Sequence, residues 1–307
     1  MKLLIDTDIG DDIDDALALG YAFARGLEIV GVTTVYRQAP ERSAIVRKLM
    51  AYCGLTDIPV LAGYSEPLSR EAVVFGRMNY CAADYPQADN PPEDAARFMA
   101  DCADRYGEEL CILLMGAQTN LAHACMRYPD QMKKVGLVAV MGGCFTLHHN
   151  EWNIAGDPTA ARIVGESGLP LFYMPWDVTR EIELGEENYR RILDCHEDTM
   201  QGYIAHLVGQ WRERNLSIPS PLLHDPAMLI CTLDRSLCET REVPFCVVDT
   251  GPAAGITLNV ATLNRFALGE LPAHTITLAV AAEKEKIVSD YMQTVFGAPV
   301  AASARLA

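Results

Sequence analysis

The chain has 307 residues, of which 50% are hydrophobic and 21% charged, so it can bury a large core as one α/β domain or two smaller ones. Its formal net charge of −16 at pH 7, without a segregated basic patch, argues against nucleic acid or an anionic membrane as the main partner. Ten scattered cysteines without a Cys-x-x-Cys pair, and the lack of a signal-peptide pattern or an apolar run of bilayer length, predict a reduced cytoplasmic enzyme.

The first predicted elements are a short strand and a helix that enclose a cluster of aspartates. Residues 3–5 are apolar and predict a buried strand, Gly10 interrupts the pattern, and residues 16–22 predict the start of a helix. The aspartates in this turn are Asp6, Asp8, Asp11, Asp12, Asp14 and Asp15. Carboxylates this close together repel one another unless they stay solvated, share protons or bind a cation. Oxygen ligands of this kind suit Ca²⁺ or Mg²⁺, so the cluster predicts a metal site.

Other interpretations explain less of this cluster. Capping of a solvated helix accounts for one or two aspartates only. An EF-hand loop needs a preceding helix and a Glu at its twelfth position, whereas here a strand precedes and that Glu is missing. The segment Asp6-Thr7-Asp8 also resembles locally the nucleophile pair of haloacid-dehalogenase-type phosphatases. Phosphate-ester hydrolysis through Asp6 or Asp8 is therefore an alternative function.

Apolar strands and helical stretches alternate along the rest of the chain. Strands are predicted over residues 27–35, 59–63, 110–116, 134–143 and 171–175, a helix over 42–53, and two helical patterns over 186–214. This alternation is typical of βαβ units and a mainly parallel sheet. Since no convincing domain boundary interrupts it, residues 1–307 are predicted to form a single α/β domain with flanking helices and a Rossmann-like core.

Further polar clusters interrupt the apolar scaffold near strand ends, where ligands bind in open α/β sheets. They cover residues 116–122, 151–153 with 157–158, 175–179 and 224–226. A lone histidine is more often structural than catalytic. The pair His224-Asp225 stands at a predicted helix start after a Pro-rich loop, however, and this position favours a functional role.

Taken together, these motifs resemble the inosine-uridine-preferring nucleoside hydrolase family over nearly the whole chain. The matching segments, in family order, are residues 6–10 with 14–19, 31–35, 57–63, 116–122, 151–153 with 157–158, 177–179 and 224–226. The resemblance implies the family's α/β fold and Ca²⁺-dependent hydrolysis of the N-glycosidic bond of a ribonucleoside or related N-riboside. It also implies a cytoplasmic homodimer or homotetramer that acts in nucleoside salvage.

The resemblance further implies which residues hold the metal. In that family a Ca²⁺ holds a water and the 2′- and 3′-hydroxyls of the ribose. Carried over, the ligands are the carboxylates of Asp8, Asp15 and Asp225 and the backbone carbonyl of Thr119. Asp8 would also take the proton of the water as general base.

The remaining site residues implied by the resemblance would contact the substrate. Those expected at the sugar are Asp14, Gln38, Glu151, Trp152 and Asn153, with core packing as the alternative role of Trp152. Carboxylates near the ribosyl carbon would stabilise the oxocarbenium character of the transition state. His224 is the candidate acid for the departing base, because the unperturbed pKa of histidine lies near the operating pH.

The chain departs from the family pattern in the aspartate turn. The usual Gly-x-Asp-Asp is here Gly10-Asp11-Asp12-Ile13-Asp14-Asp15, which is two residues longer. A register anchored on Asp14-Asp15 makes Asp15 a metal ligand, whereas the competing register uses Asp12. Gln38 stands near the position of a family Asn that touches the ribose. A further alternative is a non-catalytic calcium-dependent sugar-binding protein of the same fold.

Overall fold

A nine-stranded sheet forms the centre of the computed structural model, which describes residues 1–74, 78–195, 198–262 and 274–297. Its strands are β1 Lys2–Thr7, β2 Ile29–Thr34, β3 Val60–Ala62, β4 Leu110–Leu114, β5 Leu137–Met141, β6 Leu171–Met174, β7 Cys238–Val247, β8 Thr257–Asn259 and β9 His274–Ala282. The order is β3-β2-β1-β4-β5-β6-β9-β7-β8, and pairing is parallel from β3 to β9. Within this described sheet, the pairings of β7 with β9 and with β8 are antiparallel. The predicted α/β class with a mainly parallel sheet is confirmed.

Helices cover both faces of the sheet. They are α1 Asp14–Ala24, α2 Ala39–Tyr52, α3 Glu93–Tyr106, α4 Thr119–Arg127, α5 Pro129–Met132, α6 Trp152–Gly156, α7 Pro158–Gly165, α8 Trp176–Thr179, α9 Glu186–Leu193, α10 Met200–Arg214, α11 His224–Leu233 and α12 Lys284–Phe296. Along β1, Leu3 and Ile5 join one apolar cluster with residues of α1, α2, α10 and α11, whereas Leu4 joins another with residues of α3, α4 and α7. Alternate side chains of a strand point to opposite faces, so burial on both faces explains the uninterrupted apolar run that opens the chain.

The strand order creates a crevice between β1 and β4. After β1 the chain continues to β2 on one side, while β4 lies on the other side of β1. Open α/β sheets bind ligands at the carboxyl ends of the strands on either side of such a reversal. Gly116, just after β4, lies so close to Asp8 that a Cβ on the glycine would stand 2.9 Å from the Asp8 Cβ. The absence of a side chain at Gly116 therefore allows the two loops to meet at this edge.

The cysteines, the helix lengths and the extent of the described residues bear on three further predictions from the sequence. All ten cysteines lie within the described ranges and are free thiols. Among the helices of those ranges, none has both the length and the apolar character required to span a bilayer. The single domain over residues 1–307 stays a prediction, since 75–77, 196–197, 263–273 and 298–307 lie outside the described residues.

Candidate active site

A cavity of about 320 Å³ opens at the carboxyl ends of β1, β4 and β5. In the described residues its wall consists of Asp8, Asp11, Asp12, Asp14, Asp15, Met115, Met141, His149, Glu151, Trp152, Asn153, Trp176 and His224. A larger and more open cleft of about 720 Å³ lies between α9 and α12, and its described lining includes none of the predicted site residues. The smaller cavity is therefore the candidate site, because it brings together most of the residues that the sequence singles out.

Three buried carboxylates lie close enough to share one cation. An oxygen atom from each of Asp14, Asp15 and Asp225 lies within 4.8 Å of the others. Burial raises the pKa of all three carboxyls, and repulsion by neighbouring aspartates, Asp8 among them in each case, raises it further. The Oδ1 atom of Asp225 is buried without a hydrogen-bond partner in the described part of the chain. These carboxylate oxygens fit a hard divalent cation, whose charge would offset both effects.

Helix α1 and helix α11 position these carboxylates. Asp14 and Asp15 are the first two residues of α1, and Asp225 lies in the first turn of α11. The Thr7 hydroxyl donates to Asp15, and the backbone amide of Asp225 donates to Asp14 at 3.3 Å. Asp14, predicted only as a sugar-binding residue, thus also belongs to the group that can hold a cation.

Asp12, like the predicted ligand Asp8, lies in the cavity wall but outside this three-carboxylate group. Its Oδ1 accepts from the backbone amide of Ile13 at 2.7 Å, and its carbonyl accepts from the Tyr80 hydroxyl at 2.7 Å. The geometry therefore supports the register anchored on Asp14-Asp15.

The two registers make different predictions for calcium affinity. Asp15→Asn is expected to weaken Ca²⁺ binding more than Asp12→Asn, by about tenfold or more, which corresponds to about 1.4 kcal/mol. Both substitutions remove one charge and nearly keep the side-chain shape, but only Asp15 belongs to the three-carboxylate group. Isothermal titration of Ca²⁺ into the metal-free variants measures the difference. A larger loss for Asp12→Asn would transfer the metal site to the competing register.

Glu151 and Asn153 connect the loop after β5 with the end of β4. Glu151 caps α6, since its carboxylate accepts from the amides of Asn153 at 2.9 Å and Ile154 at 3.1 Å, and also from that of Gly143 at 3.0 Å. The Asn153 side-chain amide donates to the carbonyls of Met115 and Met141, both at 3.1 Å. The two predicted sugar-binding residues therefore also build the wall of the cavity.

Three rings line the part of the cavity nearer the surface. Trp152 is 53% exposed, so its alternative role in core packing is wrong. The rings of His149 and Trp176 lie 4.5 Å apart between centroids, at an interplanar angle of 35°. Rings in such positions offer flat apolar surface to a ligand. Trp176 is the first residue of α8 and lies within the polar cluster 175–179 that the sequence indicates near a strand end, although no pattern marks its ring as part of the site.

His224 lies in the cavity wall but is largely enclosed by protein. Its Nδ1 atom stands 2.7 Å from the Thr179 hydroxyl oxygen, which lies 3.3 Å from the Pro175 carbonyl. Burial lowers the pKa of His224 to about 4. The premise that this histidine keeps an ordinary pKa is therefore wrong, and the imidazole is neutral near pH 7 in the free protein.

Three predicted site residues are absent from the described cavity wall, namely Asp225, which belongs to the carboxylate group, Thr119 and Gln38. Thr119 begins α4, and its hydroxyl donates to Asp157 at 2.7 Å. From the same segment, Met115 lines the cavity. Gln38 precedes α2 as its N-cap residue, with its Oε1 atom buried and unpaired within the described residues. The predicted contacts of the Thr119 carbonyl with the metal and of Gln38 with the sugar stay predictions, because neither residue belongs to the described cavity wall.

The alternative nucleophile Asp6 is also placed away from the described cavity wall. Asp6 is fully buried, and its carboxylate accepts from the Thr33 hydroxyl at 2.6 Å and the Asn120 side-chain amide at 2.8 Å. It thus links β1 to β2 and α4 beneath the site. A nucleophilic role of Asp6 in phosphate-ester hydrolysis is therefore wrong.

Comparisons with known proteins agree with this geometry. The family model described as inosine-uridine preferring nucleoside hydrolase matches residues 3–289. The chain is 30% identical to uridine nucleosidase 1 of Arabidopsis thaliana, over 86% of this chain and 83% of the relative. It is 28% identical to the pyrimidine-specific ribonucleoside hydrolase RihA of Escherichia coli, over 79% and 82% of the two chains.

A solved structure extends the likeness to the fold. A plant nucleoside hydrolase, the PpNRh1 enzyme, superposes with a TM-score of 0.81 at 26% identity, covering 96% of this chain and 98% of the other. The family match spans β1 to α12 and thus includes the aspartate turn, the loop after β5 and the start of α11. The chain therefore belongs to the inosine-uridine preferring nucleoside hydrolase family, whose members are N-glycosyl hydrolases.

Proposed function

We propose that this protein hydrolyses the N-glycosidic bond of a ribonucleoside or a closely related N-riboside and uses Ca²⁺ to do so. The observation that carries the proposal is the group of buried carboxylates at the reversal of strand order, inside a cavity of about 320 Å³. That volume lies within the range of small-molecule sites. The carboxylates of Asp15 and Asp225, with Asp14 in the same group, would hold the cation, and Asp8, which lies in the cavity wall outside that group, would complete its ligands.

The backbone oxygen of the metal site is better assigned to Met115 than to Thr119. Met115 lines the cavity, and the next residue, Gly116, approaches Asp8 closely. The Met115 carbonyl accepts one hydrogen bond from Asn153, which leaves its second lone pair available. A bound cation would orient the sugar hydroxyls and would lower the pKa of a water molecule bound to it.

The protein's own groups would perform the proton transfers and stabilise charge. Asp8 would accept the proton of the attacking water, since its carboxylate lies in the cavity wall beside the proposed cation site. Asp14, Glu151 and Asn153 would bind the ribose hydroxyls. Negative carboxylates around the ribosyl carbon favour the positive charge that develops there in the transition state.

The rings of Trp152, Trp176 and His149 would accommodate the base. Aromatic faces stack on nucleobases and exclude water from them. Two relatives are named for uridine or pyrimidine ribonucleosides, so we place uridine first among the candidate substrates. We also propose a homodimer or homotetramer that acts in the cytoplasm in nucleoside salvage.

A substrate panel tests the function. Uridine, cytidine, inosine, 2′-deoxyuridine and p-nitrophenyl phosphate are incubated with the protein and Ca²⁺, and free ribose and base are measured. We expect cleavage of one or more ribonucleosides and loss of turnover with a chelator. The 2′-deoxy substrate should be slower by on the order of 10⁴-fold, because a site that bonds a hydroxyl discriminates strongly against its loss.

Each alternative function gives a different result in the same panel. Release of phosphate from p-nitrophenyl phosphate would favour the phosphatase with Asp8 as nucleophile. Calcium-dependent binding of ribosides without any product would favour the sugar-binding protein. Hydrolysis that survives complete removal of metal would contradict the role of Ca²⁺.

A further inference from the structure

Arg42 is a fully buried arginine directly behind the aspartate turn. Its side chain projects from the first turns of α2 and is 0% exposed. Arginine is almost never fully buried unless it is paired. Here its guanidinium has partners on several sides, so its position is a defined feature of the fold.

The partners of Arg42 come mainly from the turn that carries the predicted metal ligands. The Nη1 atom donates to the carbonyls of Asp8 and Ile9, the latter at 3.0 Å. The Nη2 atom forms an ion pair with Asp11 at 3.0 Å. The Arg42 side chain thus binds both the backbone carbonyl of Asp8 and the carboxylate of Asp11, which lies in the part of the turn that is longer than in the family pattern.

The same guanidinium also holds the loop after β2. Its Nε atom donates to the carbonyl of Tyr36 at 2.9 Å. Tyr36 and Arg37 have φ values of 68° and 50°, a left-handed conformation that is costly for residues with a side chain. The rigid fork of an arginine can bond several carbonyls and a carboxylate at once, which a lysine ammonium cannot do with the same geometry.

We propose that Arg42 is a positioning residue for the cation site. It fixes the backbone at Asp8 and neutralises Asp11, so the turn keeps Asp8, Asp14 and Asp15 arranged for a divalent cation before the cation binds. In this arrangement Asp11 pairs with Arg42 and is not a ligand of the cation, which the other carboxylates bind. The inference deepens the proposed function and rests on it for the identity of the cation.

The direction of the change in Ca²⁺ affinity distinguishes a positioning role of Arg42 from an effect of its positive charge alone. If Arg42 acted only through its positive charge, a neutral residue would tighten binding of a cation nearby, because a repulsion is removed. If Arg42 positions the turn, the neutral residue weakens binding despite that gain. Arg42→Lys keeps the charge and removes the fork, so it isolates the contribution of geometry.

The test is calorimetric titration of Ca²⁺ into metal-free variants. Arg42→Lys and Arg42→Met are each expected to weaken binding by about 10–100-fold, the usual effect of losing a group that orients metal ligands. Arg47→Met is the matched control. Arg47 also projects from α2, but its guanidinium donates to the carbonyls of Gln87 at 2.8 Å and Val60 at 3.1 Å, which lie outside the aspartate turn. Unchanged or tighter binding in both Arg42 variants would overturn the proposal.

Hydrogen–deuterium exchange of the metal-free proteins provides a readout that does not depend on calcium or on activity. Arg42→Lys should speed exchange in peptides that cover residues 8–13 and 35–38, relative to both the wild type and Arg47→Lys. Unchanged exchange would overturn the positioning role even in a protein that folds normally. If the wild type binds no Ca²⁺, the proposed calcium dependence fails, and the exchange data still decide whether Arg42 organises the turn.

Discussion

Replacing Asp8 with alanine is expected to lower the turnover of ribonucleosides by several orders of magnitude. Asp8 lies at the end of β1, in the cavity wall and against Gly116, and the proposed mechanism gives it two roles. Loss of acid–base catalysis alone costs about 10²–10⁴-fold. Loss of a metal ligand adds to that cost. The measurement is kcat on the best substrate of the panel, at Ca²⁺ concentrations raised to saturation.

Two companion variants make this result specific. Asp8→Asn keeps the shape of the side chain and should lose turnover with a smaller loss of fold stability. Asp130→Ala removes an aspartate that is 90% exposed on α5 and pairs with Lys133, so it should keep normal turnover. Turnover of Asp8→Ala within a few-fold of wild type, at saturating Ca²⁺, would reject the mechanism.

Replacing His224 with alanine is expected to slow hydrolysis of uridine or inosine by about 10²–10⁴-fold and to leave p-nitrophenyl riboside nearly unaffected. A nucleobase leaves better when it is protonated, whereas p-nitrophenolate departs without a proton. The difference between the two substrates therefore reports acid catalysis. The ratio of kcat/KM for the two substrates is the quantity to measure.

The enclosed position of His224 makes this comparison necessary. Burial lowers the pKa of His224 to about 4, which disfavours the protonated ring that an acid needs, so its role has to be read from the two substrates. Of the described residues, His149 is the other imidazole in the cavity wall. His149→Ala should reduce activity on both substrates by a similar factor if it only stacks on the ligand. If His149→Ala instead slows hydrolysis of the nucleoside much more than that of p-nitrophenyl riboside, His149 is the group that protonates the base.

A distant histidine completes the experiment. His206→Ala changes an exposed histidine of α10 and should leave both activities unchanged. Equal losses on both substrates in His224→Ala would mean that this residue positions the loop or the proposed metal ligand Asp225. In that case another group, or none, protonates the base.

Local patterns in the sequence were sufficient to predict the sheet and the aspartate turn. The alternation of apolar strands and helices follows from burial of strands on both faces, a pattern that neighbouring residues carry by themselves. Asp14 and Asp15 are consecutive and start a helix, so their proximity needs no tertiary contact. The His224-Asp225 pair was likewise visible as a polar interruption at a helix start.

Only the tertiary structure decided which side chains share the site and in what state. Asp225 meets Asp14 across 211 positions of sequence, and Arg42 reaches the turn from a different helix. The lowered pKa of His224 arises from the segments that cover the ring, and Thr119 is buried with its hydroxyl bonded to Asp157. Burial and partner choice depend on residues far apart in the chain, whereas sequence patterns report mainly the secondary structure of neighbours. The sequence by itself therefore determined the fold class and the chemistry of the ligands, and the packing determined the geometry in which they act.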